Sequence, residues 1–177
     1  GVVEPSCRRA AAATRNKRVG LIATAASVRS GAYERTIAGL DGDITVISKA
    51  CPLFVPLVEN GRFRPGDTVI ETVAREYLEP LRDTGIDTLI MGCTHYPLLA
   101  EVIGGIMGPD VTLVDSGAEA ARSLKRQLTE RELLADRRGG EMTLYASDRP
   151  EDFGALAGMF LGQPLQGAVR PVDIEKY

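Results

Sequence analysis

Short apolar runs rich in β-branched residues alternate with stretches of helical periodicity along this chain, and that alternation restricts the fold most. Runs over 18–24, 44–48, 87–91, 111–114, 142–146 and 168–172 have the length and content of buried strands. Between them, helical spacing predicts helices over about 28–40, 68–84, 98–107, 116–128 and 150–161. The longest has Val69, Val73, Tyr77 and Leu81 near helical spacing, with Asp67 placed to cap it and Ile70 and Val73 facing inward. Residues 51–61 read as an apolar loop with a helical turn. Ser116, three residues before Glu119, predicts a capping box for the helix that follows the fourth strand. Residues 129–140 are charged and read as a loop. Strands separated by helices specify a mostly parallel sheet covered on both faces, hence an α/β fold of three layers.

Bulk numbers exclude several classes. A net charge of −3 over 177 residues does not suit a dedicated nucleic-acid binder. No apolar run approaches the roughly 20 residues that span a bilayer. Three cysteines do not make a disulfide framework, so a reducing cytoplasm is the expected location. Gly1-Val2-Val3 reads as the end of a strand, which suggests a fragment whose preceding residues are absent.

Gly92-Cys93-Thr94-His95-Tyr96-Pro97 follows the third strand and holds the only histidine and one of the three cysteines. Gly92 frees the backbone, and Pro97 suits the first turn of a helix. A thiol and an imidazole therefore sit where a strand ends and a helix begins, the place where open α/β sheets bind ligands. Thiolate is the reactive form of a thiol whose free pKa is about 8.5, and a helix N-terminus favours it. His95 suits holding or relaying a proton. The competing reading of Cys93 is a buried, inert cysteine. Glu59 closes the run Cys51 to Glu59. It reads either as a solvated charge or as a carboxylate that orients His95 across a cleft. Cys51 and Cys7 read as packing residues. One histidine and no Cys-x-x-Cys pair leave too few ligands for zinc. Neither Gly-x-Ser-x-Gly nor a phosphate-binding glycine loop occurs.

Gly92-Cys93-Thr94-His95-Tyr96-Pro97-Leu98-Leu99 resembles the second catalytic-cysteine motif of bacterial glutamate racemases. Gly1 to Pro5, Val19 to Thr24, Cys51 to Gly61, Leu113 to Gly117 and the helix around Phe153 to Leu161 resemble blocks of that family in the same order. The resemblance covers essentially the whole chain. It implies a cofactor-independent enzyme in which one thiolate removes the α-proton of glutamate and an opposed thiol returns a proton to the other face. Inversion requires the two groups on opposite faces. D-glutamate, the product, feeds peptidoglycan synthesis.

By this resemblance Cys93 is one of the two bases, Thr94 and His95 contact the substrate, and Glu59 assists. The first cysteine and the substrate-holding Asp-Ser-Gly motif of the family would both precede Gly1. Asp115-Ser116-Gly117 matches a different block and takes no binding role from it. The implied organisation is a complete α/β domain over 3–110. Residues 111–177 then form the C-terminal segment of a second, incomplete α/β domain. The chain alone is expected to be inactive, with glutamate as the native partner and a homodimer as a way to cover exposed apolar surface. The alternatives are a non-catalytic, partner-binding remnant, and a related aspartate or hydantoin racemase.

Overall fold

The first four apolar runs become four strands of one parallel sheet, each sending successive side chains to opposite faces. The computed structural model describes residues 1–136, 139, 142–165, 167 and 169–176. In it β1 (Arg18–Ala23), β2 (Thr45–Ala50), β3 (Thr88–Met91) and β4 (Thr112–Asp115) pair in the order β2-β1-β3-β4. All three pairings are parallel, with Gly20 opposite both Ile47 and Leu89, and Met91 opposite Asp115. Ile22, Leu89 and Met91 face one apolar core, and Val19, Leu21, Ala23, Ile90 and Val114 face the other.

Helices cover both faces. α1 (Val3–Ala13), α2 (Ala25–Ser30) and α3 (Ala32–Leu40) lie on the second core, while α4 (Phe54–Glu59), α5 (Thr68–Arg82) and α6 (Ala100–Met107) lie on the first. The single helix expected over 28–40 is two helices. Gly31 sits between them in the left-handed region (φ 61°), which an L side chain adopts only at a steric cost. Val3 belongs to α1 rather than to a strand, because Val2 already has helical backbone angles and an alanine-rich run follows. Asp67 caps α5, its Oδ1 accepting from the Val69 N–H at 2.9 Å. Ile70 is buried as expected, whereas Val69 is exposed.

Asp87 fixes the amino end of β3. It is buried, and it accepts from Thr14 Oγ1 at 2.7 Å, from the amides of Arg15 and Asn16 at 2.7 and 2.8 Å, and from Thr88 Oγ1 at 3.0 Å. Burial pulls its pKa upward, but these hydrogen bonds outweigh that and hold the carboxyl below its ordinary value.

The first compact unit runs from Gly1 to Leu134. It extends past the division near 110 expected from the sequence, because β4 pairs with β3 and α7 (Ser116–Glu130) packs on α1. The second unit, Ala135–Tyr177, contains β5 (Tyr145–Ala146) paired in parallel with β6 (Arg170–Pro171), and α8 (Pro150–Leu161). Pro150 opens α8 as expected. The strand expected over 142–146 is confined to β5. Of that expected over 168–172, β6 forms, and position 168 lies outside the described residues, as do 137, 138 and 140 of the charged stretch. Among the described residues no helix is long and apolar enough to cross a membrane.

Candidate active site

The turn after β3 is held from three sides. Gly92 donates its N–H to the Ile22 carbonyl at 2.8 Å. A Cβ at this position would lie 2.9 Å from Leu21 Cδ1, 3.1 Å from the Ile22 carbonyl oxygen and 3.2 Å from Ala23 Cβ. Gly92 is not among the positive-φ glycines. The turn therefore needs its missing side chain and not a special backbone angle, which corrects the sequence reading. Ser116 donates its hydroxyl to the Met91 carbonyl at 2.9 Å. The cap of α7 is Asp115, whose Oδ1 accepts from the amides of Gly117 and Ala118 at 2.8 and 3.1 Å. The cap thus lies one residue before the capping box expected at Ser116, with Ala118 in place of the acidic partner such a box needs, and the Ser116 hydroxyl is committed to the strand that leads to Cys93. On the far side, the Tyr96 N–H donates to the Cys93 carbonyl at 3.2 Å. A 3-10 turn over Tyr96–Leu99, with Pro97 in it, then leads into α6, where the sequence predicts a helix from Leu98.

Cys93, Thr94, His95 and Glu59 come together in this structure. Residues 51–61, expected as a loop with a helical turn, supply α4, and Glu59 is its last residue. Glu59 Oε1 lies 3.1 Å from His95 Nε2. The other ring nitrogen, Nδ1, lies 3.3 Å from Thr94 Oγ1 and 3.8 Å from Cys93 Sγ. A carboxylate only accepts hydrogen bonds, so Nε2 carries the proton in the Glu59 contact. In the neutral ring Nδ1 is then an acceptor facing the thiol. The arrangement can pass a proton between sulfur and imidazole, with Glu59 stabilising the imidazolium that results. Thr94 is exposed beside the ring, while Cys93 and His95 are half-buried.

Burial dominates the thiol. It pushes the Cys93 pKa above its ordinary value, with a smaller upward push from the Glu59 charge. The His95 and Thr94 amides and the Thr94 hydroxyl pull the other way, as expected for the end of a strand facing a helical turn, but do not prevail. Cys7 and Cys51 are fully buried, and burial pushes both up to about 12. Among the described residues no group of three or more His, Cys, Asp or Glu side chains is arranged to hold a metal ion. Sequence reasoning missed Ser116 and Tyr96 as supports of the turn. Tyr96 stands inside the motif, but its partner, the Cys51 carbonyl, is 45 positions away.

Residues 1–124 match the family model for Asp/Glu/Hydantoin racemase. A relative from Geobacter metallireducens, named glutamate racemase, is 46% identical over 176 residues, 99% of this chain and 64% of the relative. One from Mycobacterium marinum with the same name is 47% identical over 174 residues, 97% of this chain and 62% of the relative. Glutamate racemase isoform RacE1 from Bacillus anthracis superposes with a TM-score of 0.89 at 35% identity, covering 98% of this chain and 64% of that one. The glutamate racemase of Francisella tularensis, solved in complex with D-glutamate, gives 0.88 at 34% identity, with 99% and 64% covered. The chain spans 64% of the length of the first of these relatives.

Proposed function

The chain belongs to the Asp/Glu/hydantoin racemase family, and on that premise we propose that its Cys93 turn is one half of the proton-transfer site of a glutamate racemase. His95 Nδ1 takes the thiol proton, and Glu59 holds the imidazolium. The Cys93 thiolate then removes the α-hydrogen of glutamate: the Cα–H bond breaks, an S–H bond forms, and the electron pair stays on carbon. An opposed thiol protonates the other face. Cys7 and Cys51, both fully buried, are unsuited to that second role. We place the opposed group in the part of the relatives' length that this chain does not cover. Thr94 and His95 contact the substrate, and its charge develops against preorganised donors. Residues 135–177, the second unit, complete a second α/β domain together with that uncovered part.

The reading is carried by the Glu59–His95–Cys93 array on the one cysteine of the three that is not fully buried. Glutamate is favoured over aspartate or a hydantoin because the relatives described above carry the name glutamate racemase. Three free cysteines suit a reducing cytoplasm. A homodimer is part of the proposal, supported by the exposed Leu124, Leu133 and Leu134. Sedimentation velocity at several concentrations tests it, and a monomer throughout rejects it.

The chemical test uses a chimera in which this chain replaces the matching 64% of the Geobacter metallireducens relative. The chimera is expected to convert L- to D-glutamate, and Cys93→Ala to abolish conversion by a factor of at least about 10³. Conversion that survives Cys93→Ala rejects the assignment.

A further inference from the structure

His95 and its neighbour Tyr96 hold opposite ends of the same short helix. His95 meets Glu59, the last residue of α4. Tyr96 reaches the start: its hydroxyl donates to the Cys51 carbonyl at 3.1 Å, and that carbonyl also accepts from the N–H of Phe54, the first residue of α4, at 3.3 Å. The Cys51 N–H in turn donates to the Ala23 carbonyl at the end of β1 at 3.0 Å. The Tyr96 ring also packs edge-on against Phe54, with centroids 5.3 Å apart, and Phe54 packs edge-on against Tyr77 of α5 at 5.4 Å. Six residues of helix span only about 9 Å, so an error at one end of α4 reaches the other with little loss.

Tyr96 is fully buried. A phenylalanine would fill nearly the same volume, and a buried hydroxyl costs free energy unless it is bonded. The hydroxyl is bonded, and the bond ties the turn that carries Cys93 and His95 to the helix that carries Glu59.

We propose that Tyr96 is a positioning residue: by pinning the start of α4 it sets the Glu59 carboxylate on His95 Nε2, and so holds the imidazole in the tautomer whose Nδ1 faces Cys93. The inference rests on the proton-transfer reading above, but its test needs no substrate. A chain inert toward glutamate leaves the inference standing. A tautomer ratio that ignores Tyr96 overturns it and leaves the racemase reading intact.

The chain has one histidine, so ¹⁵N NMR of the ring reports His95 without ambiguity. The folded chain is expected to be mainly the Nε2–H tautomer. Tyr96→Phe keeps the ring and removes the hydroxyl, and should raise the Nδ1–H share about threefold or more. Glu59→Ala should move it in the same direction, and adding Tyr96→Phe to Glu59→Ala should move it no further. A merely structural hydroxyl lowers the unfolding midpoint without moving the ratio, or moves it equally in both backgrounds; either result overturns the proposal. Should Tyr96→Phe fail to fold, Phe54→Leu loosens the same end of α4 with the hydroxyl in place and is read in the same way.

Discussion

Burial holds the Cys93 thiol above its ordinary pKa despite the donors around it. Alkylation of the folded chain by iodoacetamide should therefore accelerate with pH to a midpoint above that of a free cysteine. Only Cys93 should be labelled, because Cys7 and Cys51 are fully buried. Peptide mass spectrometry over a pH series reads both effects, and comparable labelling of Cys7 or Cys51 in the folded chain contradicts them. That Cys93 and His95 share one strand-to-helix turn was legible in the sequence, because the glycine and the proline that mark the turn stand beside them. The direction of the thiol shift was not. A helix terminus can be read locally, whereas burial depends on the apolar core that Cys93 packs against, which is gathered from segments far apart in sequence.

Among the elements, β3 matters most to the site, and it is fixed at both ends. Gly92→Ala places a methyl within 3.2 Å of three groups, one of them the Ile22 carbonyl. It should cost about 1–3 kcal/mol and displace the Cys93 turn. Urea denaturation checks the first, and slowed or accelerated Cys93 alkylation the second. At the other end, the Asp87 carboxyl has a folded pKa below its ordinary value of 3.8. Its contribution is fully present above that value and is lost as pH falls through the lower, folded one. Asp87→Asn should cost roughly 2–3 kcal/mol at neutral pH and flatten the loss of stability below about pH 4. Unchanged acid denaturation in this variant contradicts the assignment. The positions of β1 to β4 were legible from the length and β-branched content of their apolar runs. The break at Gly31 and the Asp115 cap were not, since one left-handed residue and two hydrogen bonds to one carboxylate oxygen leave apolar periodicity unchanged, and α4 extends the helical turn expected within 51–61.

For the whole molecule, the sequence supplies one cysteine suited to proton transfer and two that are sealed in the core. The purified 177-residue chain should therefore form no D-glutamate from L-glutamate. Conversion by the chain alone, lost on Cys93→Ser, contradicts this. The family was legible because its motifs are local and ordered along the chain. The extent of the first unit was not, because β4 is assigned by its pairing with β3 rather than by its own composition. The central claim, that Cys93 moves the α-hydrogen against an opposed group, is tested most directly by incubating the chimera with L-glutamate in D₂O. ¹H NMR should find that every D-glutamate formed carries deuterium at Cα, delivered by a solvent-equilibrated group on the opposite face, and that Cys93→Ala forms none. D-glutamate that keeps its original α-hydrogen, or that forms without Cys93, would contradict it.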